Sequence, residues 1–175
     1  MGADALIRLS IAEAGERLRR RTLSPVELTR AYLDRIRGGD AAARCYITVL
    51  EERALAEAAA AEREIGSGRY RGPLHGIPIA MKDLVMTRGI RTTCGSRILK
   101  DWVPGTDATV AVRLAEAGAI LLGKLNMHEF AYGPTGVNPH YGTAANPWGR
   151  DRMPGGSSSG SGAAGRGASI SPCAA

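Results

Sequence analysis

The stretch over residues 106–122 constrains the fold most. Thr106-Asp107 reads as a helix start, periodic apolar text runs through Ala117, and Gly118 closes it. Ala119-Ile-Leu-Leu122 follows without a polar residue. Such a run leaves no face for water, so the strand must be covered on both sides, as in a parallel sheet. A helix followed by a buried strand is the α/β rhythm. The expected class is therefore α/β, with N-terminal helices followed by part of a mixed β-sheet flanked by helices. Hydrophobic residues at 44% against 23% charged are enough for a packed core. The lone Phe, Phe130, means that this core must be aliphatic and alanine-rich.

Upstream, residues 1–70 read as mainly helical. Ser10 is placed to cap a helix running to about Arg20. Ser24-Pro25-Val26-Glu27 is a start signal: serine caps, proline sits where its missing N–H costs nothing, and Glu27 completes a capping box. That helix is expected to end near Gly38-Gly39. Residues 45–50 have strand composition. Residues 51–65 are rich in Ala, Glu and Arg, all strong helix formers, until Gly66-Ser-Gly-Arg breaks the run. Residues 74–85 read as a buried strand interrupted by Pro78, and 133–154 as loop.

Several functions are disfavoured. The net charge is +6, and its sharpest cluster is Arg17-Leu-Arg19-Arg20-Arg21. No aromatic residue interleaves to stack on bases, so the cluster reads as a solvated helix end, with no direct nucleic-acid partner. Cys45, Cys94 and Cys173 form no C-x-x-C, and His75, His128 and His140 lack metal-ligand spacing, so no metal is expected. Gly118-Ala-Ile-Leu-Leu-Gly123-Lys124 imitates a phosphate loop, but Leu125 stands where Ser or Thr must reach magnesium. Gly160-Ser-Gly162-Ala-Ala-Gly165 imitates a dinucleotide fingerprint without the preceding strand. His128-Glu129 begins a metalloprotease text, but Tyr132 replaces its second histidine. No cofactor is expected. No apolar run approaches about 18 residues, so no membrane partner is expected. With no signal-peptide pattern at the N-terminus, the expected location is cytoplasmic.

Two local texts carry chemistry. Lys82 sits in Ile77-Pro-Ile-Ala-Met-Lys82-Asp83, and a serine cluster in Pro154-Gly-Gly-Ser157-Ser-Ser-Gly-Ser-Gly162. Taken alone, the lysine also reads as a solvated strand end and the serines as a flexible linker. Together they are parts of a Ser–Lys acyl-transfer site. Burial among Ile77, Ile79 and Met81 would disfavour the ammonium and make Lys82 a usable base.

Their flanks closely resemble the amidase signature family. The matching text is Gly72-Pro-Leu-His-Gly-Ile-Pro-Ile-Ala-Met-Lys82-Asp83, Gly89-Ile-Arg-Thr-Thr-Cys-Gly-Ser96, Asp107-Ala-Thr-Val and Leu114-Ala-Glu-Ala-Gly-Ala-Ile-Leu-Leu-Gly-Lys-Leu-Asn-Met-His-Glu-Phe130. It continues through Asn146-Pro-Trp148 to Pro154-Gly-Gly-Ser-Ser-Ser-Gly-Ser161. The resemblance implies hydrolysis of a small-molecule amide by a Ser–cisSer–Lys triad. Lys82 maps onto the base and Ser157 onto the bridging serine held in a cis peptide. Gly155, Gly156 and Ser158 support that loop. The acyl-forming serine belongs to a Gly-Thr/Ser-Asp-x-Gly-Gly-Ser segment, and the chain has none.

The resemblance therefore implies a single incomplete domain over 1–175. It comprises a helical region (1–70), a portion of the amidase core (71–164) and a divergent tail (165–175). Gly165, Gly167 and Pro172 suit neither the helix nor the strand due there, which points to a frameshift or a truncated gene. The chain as written is expected to hydrolyse no amide. Two family members stay open: a general amidase, and the glutaminase A subunit of an aspartyl/glutamyl-tRNA amidotransferase, with B and C subunits as partners. Met127-His128-Glu129-Phe130 is closer to the broader amidases than the Met-Asp-Glu-Phe usual in the amidotransferase. A reading of another class is a non-catalytic fragment or pseudoenzyme.

Overall fold

A computed structural model describes residues 2–166. Pro172, Cys173 and most of the 165–175 tail lie outside them. Three strands form one sheet: β1 (Tyr46–Val49), β2 (Pro78–Lys82) and β3 (Ile120–Leu125). Their order is β1-β3-β2, with β2 parallel to β3 and β1 antiparallel to it. Every residue of β3 is buried, as its apolar text requires.

The helices are α1 (Ala3–Leu6), α2 (Ile11–Arg19), α3 (Pro25–Ala43), α4 (Glu51–Gly66), α5 (Thr109–Glu116) and α6 (Ser159–Arg166). The Ser10 capping box of α2 is formed in both directions. Ser24 accepts from the N–H groups of Val26 and Glu27, and its hydroxyl donates to Glu62. In α4 the buried face is Ala54, Ala58, Ala61 and Ile65. Those alanines let the helix lie close to β3, and α3 packs on α4 in turn. Past Val49, which pairs with Gly123, β1 gives way to α4 and leaves the Leu121 N–H without a strand partner. The Glu57 carboxylate accepts it at 3.0 Å.

Three boundaries differ from the sequence reading. Helix α3 runs through Gly38-Gly39 and stops at Arg44, which is left-handed at φ 51°. Two helical glycines cost about 1 kcal/mol each. The offset comes from Asp40, whose carboxylate caps the N–H groups of Cys45 and Tyr46 and turns the chain into β1. Strand β2 starts at Pro78 rather than residue 74, because residues 72–77 are taken up by turns. A proline at the first strand position interrupts no ladder bond. Helix α5 starts at Thr109 with no side-chain cap. Asp107 instead accepts the Arg88 N–H at 2.7 Å. Among the described residues, no helix is long and apolar enough to cross a membrane.

Candidate active site

Lys82 is the last residue of β2, in register with Leu125. The neighbouring Asp83 N–H continues the ladder to the Leu125 carbonyl at 3.0 Å. The strand end is thus fixed before its side chain is considered. Lys82 is only 7% exposed, and burial holds its ammonium below the ordinary lysine pKa. Its Nζ lies 2.6 Å from Ser157 Oγ. Sequence positions 75 residues apart therefore meet in one hydrogen bond.

Ser157 is held from both sides. The Gly156–Ser157 peptide is cis. The Ser157 carbonyl accepts the His128 N–H at 2.9 Å. A Cβ on Gly156 would lie 2.5 Å from Gly136 N and 2.9 Å from Gly133 O, so the loop admits no side chain there. Gly155 is left-handed at φ 87°, and a Cβ there would meet nothing within 4 Å. The Ser158 carbonyl accepts the Gly162 N–H and starts α6. Helix α6 sits at the end of β3, where the Gly160 N–H donates to the Asn126 carbonyl at 2.8 Å. Lys82, Ser157, Gly155, Gly156 and Ser158 are thus brought together around one strand end.

A second buried group adjoins the first, and the sequence reading does not single it out. Lys124 and Asp83 are both fully buried, 3.8 Å apart. Lys124 Nζ donates to the Val85 carbonyl at 2.6 Å and to Thr92 Oγ1 at 2.7 Å. Asp83 accepts from Thr93 N at 2.8 Å and Thr93 Oγ1 at 2.5 Å. Burial lowers the Lys124 pKa to about 8 and raises that of Asp83. The pair ties β3 to the 83–93 segment leaving Lys82. The composition does carry a signal: of 23 basic residues only three are lysines, Lys82, Lys100 and Lys124. In a chain that otherwise uses arginine, a lysine inside an apolar run marks a special environment.

The remaining candidates are structural. His75 is buried, accepts the Arg71 N–H and faces Glu64 at 3.4 Å. Glu129 accepts from Ser96 Oγ at 2.6 Å and lies 3.1 Å from His140 Nε2. The carboxylate stands between serine and imidazole, so the histidine activates no hydroxyl. Cys45 and Cys94 are buried and outside any disulfide. No metal-holding cluster occurs among the described residues. The phosphate-loop imitation is the strand β3, and Gly160 to Gly165 lie inside α6. Arg19 and Arg20 are exposed and pair with Glu16.

Comparison with known proteins adds three findings. The A-type subunit of the glutamyl-tRNA(Gln) amidotransferase of Geobacter metallireducens is 52% identical over 159 residues, covering 91% of this chain and 33% of that protein. The chain thus spans about a third of the length of the curated relatives it matches. The native peptide amidase of Stenotrophomonas maltophilia superposes with a TM-score of 0.84 at 38% identity, over 90% of this chain and 34% of that one. The model of the amidase family matches residues 27–174, most of the chain and much of the 165–175 segment included. A match over that much of the sequence shows the family: the chain belongs to the amidase family.

Proposed function

We propose that Lys82 and Ser157 are the base and the relay of an amide-hydrolysing Ser–cisSer–Lys triad, with the acyl-forming serine outside the 175 residues. The observation that carries this is the 2.6 Å contact between the buried Lys82 and the Ser157 hydroxyl. At neutral pH an ordinary lysine is protonated and accepts nothing. Burial raises the fraction of Lys82 that is neutral. Its lone pair then accepts the Ser157 proton while Ser157 Oγ takes one from the nucleophile. The substrate carbonyl is attacked by the hydroxyl of that nucleophilic serine, and Lys82 returns the proton through Ser157 to the departing nitrogen. Gly155, Gly156 and Ser158 shape the loop, and residues 71–164 form the core portion that carries it.

A second reading concerns the substrate. The His128 text resembles the broader amidases, yet the 52% relative is an amidotransferase component. One residue weighs less than identity over 159 positions. The substrate class that this relative favours is the glutamine side-chain amide, with partner subunits receiving the ammonia.

A chimera tests both readings. The chain replaces the matching third of the Geobacter metallireducens protein, and amide and glutamine hydrolysis are assayed. Activity is expected, with a loss of about 10³-fold or more on Lys82→Ala or Ser157→Ala. An active chimera indifferent to both substitutions would refute the relay. The 175 residues alone are expected to turn over no amide. Amidase activity in that sample, lost on Lys82→Ala, would show that no second serine is needed. Cooperative unfolding of a chain whose chimera is also inactive would favour the non-catalytic reading.

A further inference from the structure

We propose that Ser157 is itself a nucleophile in this chain, acylated by small activated acyl donors such as aryl esters with Lys82 as its base. This goes beyond the relay reading. It uses the same pair but ends the proton path at Ser157.

Four observations carry it. Lys82 Nζ is the hydrogen-bond partner of Ser157 Oγ, at 2.6 Å, which is the reach a general base needs. Lys82 is buried while Ser157 is half-buried beside the exposed Gly156. The base is thus largely shielded from water, while the serine that it holds belongs to a loop that reaches the surface. The serine is fixed by the His128 N–H and by a loop with no room at Gly156, so the pairing is preorganised. The other two lysines are engaged elsewhere: Lys124 with Val85, Thr92 and Asp83, and Lys100 beside Asp101.

The step balances without a further reactant. Neutral Lys82 Nζ takes the Oγ proton as Oγ bonds to the ester carbonyl carbon. The carbon–aryloxide bond breaks, and the aryloxide leaves with the electron pair. The products are acyl-Ser157, a Lys82 ammonium and the aryloxide. An amide would need a proton on its leaving nitrogen before the carbon–nitrogen bond could break, a more demanding step than loss of a stable aryloxide. An aryloxide leaves unaided, so esters react where amides do not.

The test treats the 175-residue chain with 4-nitrophenyl acetate, follows nitrophenolate release and maps the acetyl group by peptide mass spectrometry. The expected result is a burst of one equivalent per chain, with the acetyl on Ser157. Ser158, next in the chain and without a lysine partner, is the internal reference. Labelling of Ser157 should be about 10²-fold faster, the usual yield of a positioned base. The preference should vanish in Lys82→Met and in urea. Because wild-type Ser157 and Ser158 are compared within one sample, a variant that fails to fold does not blunt the test. Acetyl confined to lysines, or Ser157 labelled no faster than Ser158, overturns the proposal. A preference that persists in urea also overturns it. The relay reading fails separately, through the chimera that ignores Ser157→Ala.

Discussion

Lys82 shows how one side chain trades stability for reactivity. Its folded pKa is lowered by burial from an ordinary 10.5. A lysine of depressed pKa contributes stability above 10.5 and loses it as pH falls through the folded value. At neutral pH the buried ammonium is therefore a cost. Lys82→Met should raise the unfolding midpoint at pH 7 while removing base catalysis, a pairing seen by thermal denaturation alongside an ester-labelling assay. If the variant melts lower, burial is not what tunes this lysine. The same depression fixes a pH profile. Labelling of Ser157 should rise with pH and level off with a midpoint below 10.5, since the neutral amine is the active form. A midpoint at or above that value would mean that Lys82 titrates as if exposed. Geometry is as demanding as charge. The Gly156→Ala methyl would meet backbone atoms of Gly136 and Gly133 and push Ser157 off its lysine. A displacement near 1 Å costs on the order of 10²-fold in rate. Chimera turnover would register that loss.

At the scale of elements, α6 depends on a glycine at its contact with the sheet. A Cβ at Gly160 would collide with the Cys45 carbonyl and lie 2.6 Å from Asn126 N, both backbone atoms that cannot swing aside. Gly160→Ala should destabilise by about 1–3 kcal/mol or more, as overpacking does. Further along the helix, Gly165 meets nothing within 4 Å. Gly165→Ala should instead stabilise α6 by up to about 1 kcal/mol through propensity. Urea denaturation of the two variants should move in opposite directions, and equal effects would contradict this packing of α6. The same contrast explains what is legible in the sequence. Strand β3 and helix α4 declare themselves through local pattern, an apolar run and an Ala/Glu/Arg block. Lys82 and Ser157 are each ambiguous in their own short texts and stand out only together, through the flanks that carry the family resemblance. The end of α3 is hidden because Gly38-Gly39 is a local stop signal, while Asp40, which settles the matter, acts on residues in the next element. Asp107 reads as a cap, but its carboxylate serves the Arg88 N–H instead. The Asp83–Lys124 pair lacks a local signature because its members lie on different segments and meet only through the sheet.

That pair acts on the whole molecule, since it joins β3 to the segment leaving β2. Lys124→Met would leave Asp83 buried and unpaired, a loss typically of about 3–5 kcal/mol. Adding Asp83→Asn removes the stranded charge and keeps an acceptor for Thr93, so the double variant should lose less than the two single losses combined. Its pH dependence carries a sign from each member. Asp83 has a raised folded pKa, so its contribution is full below 3.8 and is lost as pH rises through the folded value. Lys124 is depressed to about 8 from 10.5, so its contribution is full above 10.5 and is lost as pH falls through about 8. Between the two folded values both groups are charged in the folded chain, and desolvation weighs most on the fold. The neutralised double variant should therefore gain on the wild-type chain most near neutrality and least at either extreme. Urea titrations at acid, neutral and alkaline pH would trace that difference. A flat difference would mean that the two groups share a proton rather than an ion pair. The clamp on the Lys82 strand end would then be a neutral hydrogen-bond network, insensitive to pH.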